Sequence, residues 1–236
     1  MMSGSRRQAY LDALGIQRWC LRAKPVPAAE SNAMVAEASA DNDADIAEQW
    51  RALAAEVAAC QRCELAQSRT QTVFGVGHKE ADWLVIGEAP GADEDRQGEP
   101  FVGRAGLLLT EMLLALGYRR EQVYIANILK CRPPNNRDPL PEEVRQCENY
   151  LKRQIGLIRP KIILAVGRIA AQNLLKTDAK IGALRGRVFS YGERKIPVVV
   201  TYHPAYLLRS PREKAKAWQD LLLARRTYQE ACLPAA

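Results

Sequence analysis

Residues 83–91 read WLVIGEAPG, an apolar run that stops at a glycine, a glutamate and a proline. An apolar run of this length, without alternation, predicts a β-strand that is buried on both faces of a parallel sheet. Ligands of such sheets bind outside the carboxyl ends of the strands. The loop that begins at Gly87 is therefore a candidate binding loop.

Further apolar runs of the same character lie at 123–127, 161–166 and 196–201, and residues 187–191 form a candidate short partner strand. Helical patterns alternate with these runs, at 105–116, 141–158, 168–175 and 212–230. Strands that alternate with helices indicate βαβ units. We therefore expect an α/β fold, with three α/β/α layers around a mostly parallel, four-stranded central sheet.

The first 44 residues differ in character from the rest of the chain. Residues 5–22 predict an amphipathic helix, whereas residues 23–44 are rich in Ala, Pro, Ser, Asn and Asp and lack periodicity. Such a composition is typical of a flexible linker. We expect an N-terminal appendage at 1–44 and one domain at 45–236, which opens with a helix at about 46–59.

Composition limits the class of protein. Of the 236 residues 47% are apolar and 26% are charged, which suits a folded domain with a sizeable core. No apolar run approaches the roughly 20 residues of a membrane-spanning helix, so we expect no membrane partner and a cytoplasmic location. The net charge is +7, from 34 basic and 27 acidic residues. Basic residues are concentrated after Arg119, which favours a polyanionic partner.

Four of the six cysteines have spacings that suggest metal ligation. Cys60 and Cys63 form a Cys-x-x-Cys pair, while Cys131 precedes RPP and Cys147 lies on the next predicted helix. Disulfides are rare in cytoplasmic proteins, and thiolates bind both zinc and iron–sulfur clusters. The spacing alone leaves both groups open. The other two cysteines are expected to be ordinary small apolar residues.

Two more polar side chains stand at predicted strand ends. Asn127 ends the second apolar run, and His203 follows the fourth. A buried amide at such a place must satisfy its hydrogen bonds or lower the stability of the fold. Because the strand ends meet at one edge of the sheet, we expect both side chains to lie near the loop after Gly87. The other histidine, His78, is expected to be solvated.

These stretches together resemble one known family. GEAPG at 87–91, PFVG at 100–103, Asn127 with KCRPP at 130–134, and HPAYLLR at 203–209 are similar to the motifs of family 4 uracil-DNA glycosylases, the iron–sulfur branch of that superfamily. The resemblance covers about residues 45–226. It implies the superfamily fold and hydrolysis of the N-glycosidic bond of deoxyuridine in single- or double-stranded DNA, which releases uracil and leaves an abasic site.

The resemblance also implies a cofactor and excludes one relative. It implies a 4Fe–4S cluster held by Cys60, Cys63, Cys131 and Cys147. A related branch that captures uracil covalently has Gln after the motif glutamate and an inserted Arg-Arg-Ile-His loop. Here Ala89 follows that glutamate and no such insertion follows the third cysteine. Covalent capture is therefore not expected.

Roles for individual residues come from the same resemblance. Phe101 would stack on the extruded base and Asn127 would read its edge, since an amide can accept from uracil N3–H and donate to O4. Gly87 and Ala89 would line the pocket. Glu94 would lie near uracil C5 and help to exclude the methyl group of thymine.

Catalysis and DNA binding are assigned in the same way. His203 would donate to uracil O2, and Glu88 would orient or deprotonate the attacking water, with Asp93 as a competitor for that role. The intercalation loop of the superfamily corresponds to four DNA-binding candidates, which are Tyr206, Leu207, Leu208 and Arg209. Leu207 or Leu208 would fill the gap left by the base, although core packing is the competing explanation.

Two other functions fit the same sequence. One is a glycosylase with a broader range of deaminated bases, such as hypoxanthine or xanthine. The other is a non-catalytic DNA-binding module with a structural metal. In either case we expect a monomer, with the N-terminal segment as a contact for replication or repair proteins.

Overall fold

The computed structural model describes residues 33–232, with side chains from Ala44 onward. The predicted helix at 5–22, the first part of the predicted linker and Cys20 lie outside the described residues. The second part of that linker is helical, because the first helix begins at Ala33 and not near residue 46. Residues 33–44 are rich in alanine and contain neither glycine nor proline, so intrinsic helix propensity explains the earlier start.

Helices and strands alternate along the described chain. The helices are α1 Ala33–Ala58, α2 Leu65–Ser68, α3 Ala92–Gln97, α4 Arg104–Ala115, α5 Pro141–Ile158, α6 Arg168–Leu175, α7 Ile181–Leu184, α8 Pro204–Arg209 and α9 Lys214–Cys232. The strands are β1 Val76–Gly77, β2 Trp83–Gly87, β3 Tyr124–Asn127, β4 Ile162–Val166, β5 Val188–Tyr191 and β6 Ile196–Thr201. Short 3₁₀ turns occupy Arg120–Gln122, Pro134–Asn136 and Pro211–Glu213. Within residues 33–232, no helix is both long and apolar enough to cross a membrane.

The sheet is mostly parallel, as predicted, but the described residues form six strands and not four. The strand order is β1-β3-β2-β4-β6-β5, and the four central strands run parallel to one another. The two edge strands pair antiparallel with their neighbours. The predicted count missed β1, which has two residues, and treated β5, whose side chains are half-buried or exposed, only as a candidate partner strand.

Helices cover both faces of the sheet and give two apolar cores. Leu84 and Ile86 of β2 face the core that contains Trp50 of α1, while Trp83 and Val85 face the core that contains α4 and α9. All four of these β2 side chains are essentially inaccessible to solvent. The alternation along a single strand explains why its sequence is apolar at every position. The three-layer α/β/α arrangement is confirmed.

Strand register places the predicted site residues at one edge of the sheet. Gly87 at the end of β2 lies opposite Asn127 at the end of β3. Val166 of β4 lies opposite Thr201, the last residue of β6. The loops after all four central strands therefore begin at the same edge, as the parallel arrangement requires.

Candidate active site

A cleft of about 450 Å³ opens at the carboxyl edge of the sheet. Residues from the loops after β2, β3 and β6 and from the start of α4 form its walls. They are Glu88, Ala89, Pro90, Gly91, Glu94, Phe101, Ala105, Asn127, Pro133, Asn136, Arg137, Asp138, His203, Ala205, Tyr206 and Arg209. The structure thus brings together predicted residues that lie more than 100 positions apart in the chain.

Asn127 presents an unpartnered amide oxygen to this cleft. Its side chain is 2% exposed, and its Oδ1 has no hydrogen-bond donor among the described residues. A buried acceptor without a partner costs roughly 1–3 kcal/mol. The neighbouring Gly87 leaves room for it, because a Cβ at that position would lie 2.4 Å from Oδ1. The amide is therefore held ready for a donor that a ligand supplies.

Phe101 forms an aromatic wall beside Asn127. Its ring centroid lies 5.6 Å from that of His203, with 30° between the ring planes. A Cβ at Gly87 would also meet the tip of the Phe101 ring, at 2.5 Å. The backbone of Phe101 is left-handed, with a φ of 56°, which is unusual for a residue other than glycine. The ring is thus close enough to the amide to stack on a planar group that the amide binds.

His203 is held in one neutral form. It caps α8, where its Nδ1 accepts a hydrogen bond of 3.2 Å from the Ala205 backbone N–H. Burial, aided by the charge of Arg209 and opposed by that of Glu94, lowers the pKa of His203 to about 4. The imidazole is therefore neutral at pH 7. Since Nδ1 is an acceptor, the single ring proton resides on Nε2.

Glu88 is a carboxyl group whose charge is disfavoured by its surroundings. Burial, aided by the charge of Asp138 and opposed by that of Arg168, raises the pKa of Glu88 to about 7. Asp138 and Arg168 are themselves joined by an ion pair of 2.6 Å. A group that titrates near neutrality can exchange a proton with water at physiological pH, as a general base must.

The other acidic candidates differ from Glu88. Asp93 is half-exposed, pairs with Arg96 and does not line the cleft. Glu94 lines the cleft, but its carboxylate accepts three backbone N–H groups, those of Val102 at 3.0 Å, Gly103 at 3.1 Å and Gly91 at 3.1 Å. The geometry therefore favours Glu88 over Asp93 as the carboxylate that meets water.

The four predicted cysteine ligands line one small cavity together with Lys130 of the loop after β3. Among the described residues, no three His, Cys, Asp or Glu side chains form a group that could hold a single metal ion. Thiolates bind both zinc and iron–sulfur clusters, so the four cysteines are candidate donors for either group.

Positive charge and hydrogen-bond donors surround these thiols. Arg69 donates to Cys131 Sγ at 3.1 Å and to the Cys60 carbonyl at 2.7 Å. The Lys130 backbone N–H donates to Cys147 Sγ at 3.3 Å. The Lys130 side chain is fully buried and donates to the Asn127 carbonyl and to Gln154. Donors and cations of this kind stabilise an anionic cluster and tune its potential.

Comparison with known proteins identifies the family. The model of the uracil DNA glycosylase superfamily matches residues 74–222. The chain belongs to this superfamily. A type-4 uracil-DNA glycosylase from Archaeoglobus fulgidus is 49% identical over 171 residues, which are 70% of this chain and 86% of that protein. One from Sulfurisphaera tokodaii is 47% identical over 163 residues, which are 66% of this chain and 74% of that protein. A type-5 enzyme from Pyrobaculum aerophilum is 32% identical over 150 residues, 56% and 64% of the two chains.

Within this member of the uracil DNA glycosylase superfamily, the residues of α8 separate into two groups. Tyr206 and Arg209 line the cleft and are exposed. Leu208 is half-buried, whereas Leu207 is only 1% exposed and packs in the core with α4 and α9. Core packing thus explains Leu207, which leaves Leu208 as the leucine that DNA could meet.

One wall of the cleft was missed by the sequence analysis of this superfamily member. Asn136, Arg137 and Asp138 line the cleft, although none of them was a candidate. Asn136 ends a 3₁₀ turn in which Asn135 and Asn136 both have positive φ, and the other two residues follow that turn. The PPNNRD composition after Cys131 signals a turn, but not which way that turn faces.

Proposed function

We propose that this protein is a uracil-DNA glycosylase, which hydrolyses the N-glycosidic bond of deoxyuridine in DNA, releases free uracil and leaves an abasic site for base excision repair. The observation that carries the proposal is the unpartnered, buried amide oxygen of Asn127 beside an aromatic wall. The activities named for the type-4 relatives support it.

Recognition of the base follows from the pattern of donors and acceptors. The N3–H of uracil would satisfy Asn127 Oδ1, and the amide nitrogen would donate to uracil O4. Cytosine has an acceptor at N3 and a donor at N4, so both contacts would become repulsive. The base must leave the DNA helix to reach this cleft, and Phe101 would then replace the stacking that it loses.

Bond cleavage would use Glu88 and His203, whose pKa values are both shifted by burial. As the bond to C1′ breaks, negative charge collects on uracil, and the Nε2–H of the neutral His203 would donate to O2. One such preorganised donor contributes about 3–4 kcal/mol of transition-state stabilisation. The Glu88 carboxylate would offset the positive charge of the sugar and take a proton from the attacking water.

The DNA backbone would lie across the mouth of the cleft. Tyr206 and Leu208 are the side chains placed to fill the stack where the base has left. Arg209 stands beside them, and Arg212 and Lys214 follow on the exposed surface after α8. These cations would contact phosphates, so affinity for DNA should fall as salt rises.

We also propose that Cys60, Cys63, Cys131 and Cys147 hold a 4Fe–4S cluster. Such a cluster would supply a structural cross-link among the segment after α1, the loop after β3 and helix α5. Burial raises the pKa of the Cys147 thiol to about 11, against the opposing charge of Lys130. Freshly purified protein should absorb broadly near 400 nm, and a colourless, zinc-loaded protein would contradict this assignment.

The remaining proposals concern the setting of the enzyme. We propose a cytoplasmic location, where thiols stay reduced, and a monomeric enzyme. Residues 1–44 are proposed as an appendage that contacts replication or repair proteins and is dispensable for base release. A large loss of uracil release on deleting them would contradict that last proposal.

The decisive experiment measures uracil release from single- and double-stranded oligonucleotides under single-turnover conditions. Wild type should release uracil, and His203→Ala should be slower by about 10²–10³-fold, as for loss of one oxyanion donor. His78→Ala is the matched control and should retain full activity. Release of hypoxanthine or xanthine would broaden the substrate range. Salt-dependent DNA binding without any base release would favour the binding module.

A further inference from the structure

Phe101 is held in a backbone conformation that it would not adopt freely. Its φ of 56° lies in the left-handed region, where the Cβ of an L-residue crowds the following carbonyl group. The surrounding structure must therefore supply contacts that maintain it. Both sides of Phe101 show such contacts.

On the side that follows Phe101, the Glu94 carboxylate fixes the main chain. Its Oε1 accepts the N–H groups of Val102 and Gly103, at 3.0 and 3.1 Å. Its Oε2 accepts the Gly91 N–H at 3.1 Å, which ties the same carboxylate to the loop after β2. Hydrogen bonds from main-chain N–H groups to an ionised carboxylate are short and strong.

On the side that precedes Phe101, a cation fixes the main chain. Arg120, which follows α4, donates through Nη2 to the Pro100 carbonyl. The carbonyl of Phe101 itself lies against helix α4, because a Cβ at Gly106 would be only 1.8 Å from that oxygen. Carbonyl and N–H groups from residue 100 to residue 103 are thus fixed from both directions.

We propose that Glu94 and Arg120 act as a clamp that positions Phe101 as the stacking wall for the base. This inference rests on the proposed function. It assigns Arg120 a positioning role, and it gives Glu94 a role that is exerted through Phe101, in addition to the contact with uracil C5 that the resemblance implies.

A double-mutant cycle separates the two roles of Glu94. Glu94→Ala, Phe101→Ala and the double variant would be compared by single-turnover uracil release and by inhibition with free uracil. If Glu94 acts through Phe101, Glu94→Ala should lower the rate and uracil affinity by about tenfold in the wild-type background and by less than about twofold in the Phe101→Ala background. Full additivity of the two substitutions would overturn the proposal.

Conservative variants and a control distinguish a specific effect on Phe101 from a general loss of folding. Glu94→Gln keeps an oxygen for Val102 and Gly103 and should retain more activity than Glu94→Ala. Arg120→Met should show the same non-additivity with Phe101→Ala. Arg96→Ala, on the exposed face of α3, is the matched control and should behave as wild type.

A structural readout distinguishes failure of the clamp from failure of the proposed function. In a crystal structure of Glu94→Ala, Phe101 should have relaxed to negative φ with its ring displaced from Gly87. An unchanged φ of Phe101 in that variant would overturn the clamp even if wild type releases uracil normally. Absence of uracil release by folded wild type would instead reject the proposed function, whatever the backbone of the variant shows.

Discussion

Residues of the segment after β3 line both the cleft and the cysteine cavity, yet the polar groups of the two regions differ in their hydrogen bonding. In the cleft, Asn127 keeps an unpartnered oxygen and Glu88 is buried enough to raise its pKa to about 7. Around the cysteines, Lys130 and Arg69 have partners for their buried donors. The cleft keeps polar groups available to a ligand, whereas the groups around the cysteines are hydrogen-bonded within the protein. A buried polar group without a partner lowers the free energy of unfolding, whereas a fully hydrogen-bonded network raises it.

The largest expected effect is a loss of base recognition in the cleft without a loss of stability. Asn127→Ala should lower single-turnover uracil release by at least about 100-fold, because it removes both contacts to the base edge. Its free energy of unfolding should change little, since the lost oxygen has no partner in the free protein. Asn173→Ala, on α6 and outside the cleft, is the matched control and should retain full activity. A large loss of stability in Asn127→Ala, measured by denaturant unfolding, would contradict the contrast between the two regions.

The next effect tests the satisfied network beside the cysteines. Lys130→Met keeps the volume of the side chain but leaves the Asn127 carbonyl and Gln154 Oε1 without their donor. We expect a loss of about 1–3 kcal/mol in the free energy of unfolding, together with weaker absorption near 400 nm. Lys152→Met on the exposed face of α5 should have almost no effect. Equal behaviour of the two variants would show that the network does not stabilise the protein.

The pH dependence of the reaction rate tests the role of Glu88 in the cleft. The carboxylate must be ionised to act on water, so the rate should fall about tenfold for each unit of pH below the pKa near 7. The pKa of His203, near 4, adds no further change between pH 5 and 9. A profile that stays flat from pH 5 to 8 would reject Glu88 as the base.

The stability of the fold should change with pH in the opposite sense to the rate. A carboxyl group whose pKa is raised by folding stabilises the protein while it is protonated, below its unfolded pKa of about 4.5. That contribution is lost as pH rises through 7. Glu88→Gln should therefore be more stable than wild type at pH 8. Any residual activity of this variant should no longer fall at acidic pH.

The smallest effect concerns the rim of the cleft. Arg209→Ala should weaken binding to DNA severalfold at moderate salt and reduce the slope of log affinity against log salt by about one phosphate contact. The exposed Arg51 on α1 provides a control substitution that should leave the slope unchanged. An unaltered slope in Arg209→Ala would place the DNA path elsewhere.

Most of the central fold could be predicted because its signal is local. Each parallel strand is buried on both faces, so each left an uninterrupted apolar run, and parallel strands carry Glu88, Asn127 and His203 to the same edge. The edge strands left no such run, because β1 is short and β5 is partly exposed. The start of α1 was predicted too late in the chain. Residues 33–44 have a composition typical of a linker, but their alanines have a high helix propensity.

The finer features of the site depend on contacts that no local pattern encodes. The three N–H groups that bind Glu94 come from positions three residues before it and eight and nine after it. Which of Leu207 and Leu208 packs inward depends on where α4 and α9 lie. The wall at Asn136–Asp138 depends on the direction of a turn. In each case the amino-acid type was visible in the sequence, but the direction of the side chain was not.

The arrangement of strand ends has a consequence for how such an enzyme can diverge. In the proposed mechanism, base reading would come from the end of β3, the water-activating carboxylate from the end of β2, and the oxyanion donor from the end of β6. Each task belongs to a separate crossover unit on a shared sheet. Selection can therefore alter one loop, and with it one chemical property, while the inherited scaffold and the other two tasks remain intact.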